Sequence, residues 1–146
     1  MKKVVIANDH GAVEMKNEIV VFLKQKGYEV NDMGLAEGEA ADYPDMAELA
    51  CREYLKGDYE FGVVLCGTGI GISISANKIK GIRCALVQNC FAADMTKKHN
   101  NANMIAFGGR IDYPEKVTDM LNAYMTAEFE GGRHEKRVNK IMALEN

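Results

Sequence analysis

Short apolar runs alternate along this chain with stretches in which apolar residues recur every three or four positions. Val4 to Ala7 is an unbroken apolar run, so residues 3–8 read as a strand buried on both faces. Met15, Ile19, Phe22 and Leu23 then fall at helical spacing, and Gly27 ends that helix. Residues 28–33 read as a second strand. Asp42-Tyr43-Pro44 opens a second helix, with the proline suited to its first turn. The apolar run 61–66 is a third strand, followed by Gly67-Thr68-Gly69-Ile70-Gly71 and then a helix to about Ile79. Residues 82–87 form a fourth strand, 90–99 a helix and 103–107 a fifth strand. A helix beginning near Pro114 carries Val117, Met120, Leu121, Tyr124 and Met125. Gly131-Gly132 breaks it, and a last helix spans 133–144.

Strand and helix alternate from end to end, which predicts an α/β architecture: a five-stranded parallel sheet covered by helices on both faces, plus a C-terminal helix. No linker, repeat or low-complexity tract interrupts residues 1–146, a length that suits one core and is too short for two. A single Rossmann-like, flavodoxin-like domain is therefore expected. In such sheets ligands bind beyond the carboxyl ends of the strands. Three polar groups fall there: Asp9-His10 after the first strand, Cys66 to Gly71 after the third, and Arg110 after the fifth.

The formal net charge of −3 provides no basic field to hold nucleic acid. The first apolar run is too short for a signal peptide or a membrane span, so no membrane association and a cytoplasmic location are expected. Cys51, Cys66, Cys84 and Cys90 include no C-x-x-C pair, and no histidine lies at ligand spacing from them. No metal site is predicted from this spacing. In a reducing compartment most such thiols are small buried apolar side chains.

Cys66 stands apart because of the loop behind it. Gly-x-Gly-x-Gly between a strand and a helix is either a tight turn or an anion cradle, since glycine admits close approach and the helix N-terminus attracts negative charge. The dinucleotide fingerprint fails at Ile72, and a phosphate-binding P-loop would need a lysine that is absent here. A thiol facing a helix N-terminus ionises more readily than a free one, and can act as nucleophile, metal ligand or base. A base beside a cradle for a negative oxygen is the chemistry of enolisation. His10 neighbours Asp9. His99 sits near a helix end, where a cation is also favoured by the dipole. His134, in the basic tail, reads as a surface residue. Arg133 and Arg137 share one helix face, as a phosphate grip or as a solvated basic face.

Together these residues resemble type B ribose-5-phosphate isomerase, in the family that also contains allose-6-phosphate and galactose-6-phosphate isomerases. The matching segments are Asn8-Asp9-His10-Gly11, Asp42-Tyr43-Pro44, Cys66-Gly67-Thr68-Gly69-Ile70-Gly71, Ser75-Ala76-Asn77-Lys78, Gly81-Ile82-Arg83, His99-Asn100-Asn101-Ala102-Asn103 and Glu130-Gly131-Gly132-Arg133-His134. The resemblance implies an aldose–ketose isomerase that interconverts ribose 5-phosphate and ribulose 5-phosphate through a cis-enediolate. It implies that Cys66 moves the proton between C1 and C2 with help from Thr68, and that His99 opens the furanose ring. The amides of Gly67, Gly69, Ile70 and Gly71 would cradle the enediolate. Asp9 and Tyr43 would contact sugar hydroxyls, with Asp9 in the catalytic group, and Asn100 the sugar or the intermediate. His10, Arg110, Arg133 and Arg137 would grip the phosphate. It further implies catalysis without metal or cofactor, in a homodimer or dimer of dimers with shared sites.

Some family members carry a glutamate at the position of Ile72 in place of the cysteine, so Cys66 with Ile72 assigns this chain to the cysteine branch. Family members often carry an aromatic residue where Val13 stands, which bears on the shape of the sugar pocket. The Gly-Gly-Arg-His tail favours a pentose phosphate. The alternatives are an isomerase of a six-carbon sugar phosphate such as allose 6-phosphate, and a non-catalytic sugar-phosphate sensor. Cys66, Thr68 and His99 together argue against the sensor, since binding alone needs no base.

Overall fold

A computed structural model describes residues 1–146. Five strands and six helices follow one another as β1 (Lys3–Asn8), α1 (Val13–Gln25), β2 (Glu29–Asp32), α2 (Tyr43–Tyr54), β3 (Phe61–Cys66), α3 (Ile70–Asn77), β4 (Cys84–Leu86), α4 (Cys90–Asn100), β5 (Met104–Gly108), α5 (Val117–Thr126) and α6 (Arg133–Ala143). Every strand pairing is parallel, in the order β2-β1-β3-β5-β4. This α/β, Rossmann-like sheet bears out the architecture expected from the alternation. It differs from the flavodoxin order 2-1-3-4-5 in that β5 lies inside β4.

Side chains alternate across the sheet, as the strand period requires. Val4, Ile6, Val63, Leu65, Ile105 and Phe107 point to one face and pack under α1, α4 and α5. Val5, Ala7, Val64, Cys66, Met104 and Ala106 point to the other, under α2 and α3. Burial on both faces is why β1 and β3 read as unbroken apolar runs.

Local differences from the sequence reading have local causes. The fourth strand shortens to Cys84–Leu86 because Ile82 closes a turn onto Ile79 (3.2 Å), while the Arg83 amide donates to the Asn103 side chain (2.8 Å). Asn77 then holds this edge strand, donating to the Cys84 carbonyl (2.9 Å) and accepting from its amide (2.8 Å). The fifth helix starts at Val117 rather than near Pro114, because Tyr113 and Glu115 serve other elements through their side chains.

Candidate active site

The direction of strand order reverses between β1 and β3, and loops diverging from such a point leave a crevice at the carboxyl edge. Asp9 is buried there. Its amide donates to the Leu65 carbonyl (3.1 Å), and its Oδ1 accepts the Gly11 amide (2.8 Å). Gly11 passes so close to Gly67 that a Cβ on it would lie 2.9 Å from the Gly67 nitrogen. From the other side, the amides of Gly109 and Arg110 donate to the carbonyls of Cys66 and Gly67, both at 2.9 Å. Arg110 reaches Gly67 only because β5, and not β4, neighbours β3.

Cys66 ends β3 and is almost fully buried, and its sulfur accepts the Gly69 amide at 3.2 Å. Gly69 has φ +78°, a left-handed conformation that glycine adopts without strain, and it turns the chain over the thiol into α3. Thr68 Oγ1 accepts the Ile70 amide (3.3 Å). The ring of Tyr43, at the start of α2, lies against Gly71. His10 and Arg110 are exposed at the same edge. A hollow of about 610 Å³ opens beside them, lined by His10, Gly11, Val13, Glu14, Glu37 and Gly109 among others. One residue the sequence reading missed is Tyr113, whose hydroxyl accepts the Gly108 amide (2.8 Å). Burial pushes its phenol above the usual range, and the nearby Cys66 adds to the effect. It sits in irregular chain, where no periodicity signals it.

The other predicted residues lie at the opposite end of the sheet. Helix α4 runs antiparallel to the strands, from Cys90 at the carboxyl edge to Asn100 at the amino edge, and its 11 residues rise about 16 Å. The carbonyls of Asn100 and Asn101 accept Arg83 Nε at 3.2 Å, just ahead of β4, and the Asn103 carbonyl accepts the Gly62 amide (3.0 Å) in β3. Asn101 takes φ +47° and ends α4, a conformation asparagine tolerates. Asn101 and Asn103 therefore latch the amino edge, with Asn100 exposed and His99 half-buried beside them.

Arg133 and Arg137 join this second cluster on α6, both exposed. Between them is a residue the sequence reading misplaced. His134 is 6% exposed, not a surface residue, and its Nε2 has no hydrogen-bond partner. Its ring stacks on that of His99, with centroids 4.1 Å apart and planes 8° apart. Glu130 Oε1 lies 3.7 Å from His99 Nε2 and 3.4 Å from His134 Nε2. Burial first, then the charges of His99 and Arg133, hold the His134 pKa below its usual value. The available signal was that His134 and Val138, four apart, form the buried stripe of α6.

His99, Glu130 and His134 are also the one group of three ligand-type side chains with donor atoms all within 4.8 Å. The near-parallel rings aim their lone pairs side by side rather than at one point, so a tetrahedral ion would require one ring to turn. No helix is long and apolar enough to cross a membrane.

Known proteins resemble this chain along nearly its whole length. Residues 4–141 match the family model described as Ribose/Galactose Isomerase. Ribose-5-phosphate isomerase B of Escherichia coli K12 is 39% identical over 145 residues, covering 99% of this chain and 97% of that one. D-erythrulose-4-phosphate isomerase of Pectobacterium atrosepticum is 40% identical, covering 97% and 93%. The solved structure of Clostridium thermocellum ribose-5-phosphate isomerase B superposes with a TM-score of 0.94 at 44% identity, covering 98% and 97%. The chain belongs to the ribose/galactose isomerase family, on its type B ribose-5-phosphate isomerase side. It is an enzyme, a sugar-phosphate isomerase of the aldose–ketose kind.

Proposed function

We propose that this isomerase interconverts ribose 5-phosphate and ribulose 5-phosphate through a cis-enediolate, in sites that two copies of the chain build together. The observation that carries the chemistry is the Cys66 sulfur held beneath the left-handed Gly69 turn, at the point where the strand order reverses. His99 takes the proton of the anomeric hydroxyl and returns one to the ring oxygen, giving the open aldehyde. Cys66 then removes the proton from C2. The electron pair moves into C1 and O1, and the negative oxygen meets the amides at the start of α3, which have no partner within the helix. Cys66 returns the proton to C1 while the O2 proton passes to O1, giving the ketone at C2 and the hydroxyl at C1. Thr68 supports Cys66, Asp9 and Tyr43 hold sugar hydroxyls, and Asn100 binds the sugar or the enediolate. His10, Arg110, Arg133 and Arg137 hold the phosphate.

The two clusters at opposite edges support a shared site. A chain cannot bring its own His99 to its own Cys66, whereas a second copy in antiparallel contact can. Ile70 and Ile74, exposed and four apart on α3, supply an apolar strip beside the glycine loop for that contact. The pentose assignment leans on the relatives named for ribose 5-phosphate. A second reading, a four-carbon sugar phosphate, is favoured by the equally similar D-erythrulose-4-phosphate isomerase. The test is kcat/KM of one preparation on ribose 5-phosphate, allose 6-phosphate and D-erythrulose 4-phosphate. Ribose 5-phosphate is expected to exceed the others by at least about tenfold, or 1.4 kcal/mol of transition-state binding. A higher value for either competitor replaces the pentose assignment.

A further inference from the structure

We propose that Glu130 and His134 are positioning residues for His99, together fixing the orientation and tautomer of its imidazole. The inference rests on the reading that His99 opens the sugar ring. His99 lies in the last turn of α4 with its side chain 38% exposed and no hydrogen bond. Unrestrained, such an imidazole samples several rotamers and both tautomers. Which nitrogen carries the proton is set by the partner of the other nitrogen.

Two restraints act on it here. The His134 ring covers one face at stacking distance, and the Glu130 carboxylate stands beside Nε2. Both restraints are themselves held. The Glu130 amide donates to the Lys98 carbonyl (3.1 Å), tying this segment to the residue before His99. Gly131 and Gly132 follow with φ +68° and +55°, and the His134 amide closes the turn onto the Gly131 carbonyl (3.0 Å). The glycine pair, which the sequence alone marks as a helix break, is thus the turn that folds His134 back over Glu130.

Three groups so placed divide the work. One carboxylate oxygen stands 3.7 Å from His99 Nε2 and 3.4 Å from His134 Nε2, so a small closure onto His99 holds the proton on its Nε2. Burial disfavours charge on His134, and two stacked rings cannot both hold a charge cheaply. The exchange of protons falls to His99, whose other ring nitrogen is left for the sugar. The buried, unpaired Nε2 of His134 thereby acquires a reason: it faces Glu130, which the neighbouring ring engages in turn.

The experiment measures initial rates in both directions for His99→Ala, Glu130→Gln, His134→Phe, and the two double variants containing His99→Ala. Phe keeps the stacking surface and removes the nitrogens. Glu130 is exposed, so its Gln variant carries the test if the His134 variant does not fold. Each single positioning variant is expected to slow aldose-to-ketose kcat about tenfold, the worth of one hydrogen bond to a charged group, with KM little changed and the reverse initial rate within about twofold. Added to His99→Ala, neither is expected to cause further loss, because groups acting through one residue are not additive. Losses that add in the double variants, losses equal in both directions, or no loss at all would overturn the positioning role. A His99→Ala enzyme impaired equally in both directions would instead overturn the ring-opening reading, so the two failures are distinguishable.

Discussion

Mixing two inactive variants should restore activity if sites are built from two chains. Cys66→Ala removes the proposed base at the carboxyl edge, and His99→Ala removes the proposed ring-opening group at the amino edge. Within one chain these edges are separated by the length of α4, about 16 Å, so no side-chain movement joins them. In a two-fold dimer, each site takes the carboxyl cluster of one copy and the amino cluster of the other. A hybrid of the two variants then has one site with both defects and one site with neither. Equal amounts mixed at random give about half hybrids, and so about one quarter of wild-type sites. The assay is the initial rate from ribose 5-phosphate after gentle dissociation and reassociation, with native mass spectrometry counting the hybrids. Activity near a quarter of wild type is expected. Activity no higher than that of the parents, with hybrids demonstrably present, would refute the two-chain site.

Arg137→Ala should raise KM by about one to two decades with little change in kcat, since a remote phosphate contact stabilises ground and transition states alike. An unchanged KM would make Arg137 a solvated surface residue. Tyr124→Phe strands the buried Ala102 carbonyl that the tyrosine hydroxyl serves. It should cost about 1–3 kcal/mol, read as a melting temperature several degrees lower. His134 gives a pH dependence. Its pKa is depressed in the folded chain, so its contribution to stability is complete above about pH 6.5, the unfolded value, and falls away as the pH drops from there toward the folded value. His134→Phe should flatten the melting temperature over that window, and an unchanged slope would show that His134 is not the group responsible.

How much was legible follows from which forces are local. The strands and helices appear in the sequence because burial on both faces writes unbroken apolar runs such as 61–66, and one-sided burial writes the spacing of Ile19 and Leu23. Asp9-His10, Cys66 to Gly71 and Arg110 could be placed at the carboxyl edge because strand ends are visible. The insertion of β5 between β3 and β4 was not visible, since the linking helices suit either order, and it is this order that brings Arg110 against Gly67. His134 was misread because the burial of α6 comes from its contact with α4, a helix more than thirty residues earlier, and not from the polarity of its own neighbours. The sequence also does not state that α4 carries His99 away from Cys66. That comes only from the direction in which a crossover helix must run.

The central claim is that Cys66 moves the proton at carbon. The direct measurement is turnover by Cys66→Ala in both directions, alongside its affinity for ribose 5-phosphate by calorimetry and its folding by circular dichroism. Proton transfer is required whichever sugar enters, so both directions are expected to fall by about 10²–10⁴-fold or more, with binding within a few-fold of wild type. Substantial isomerisation by the folded variant in either direction would contradict the claim and require another base beside the glycine loop.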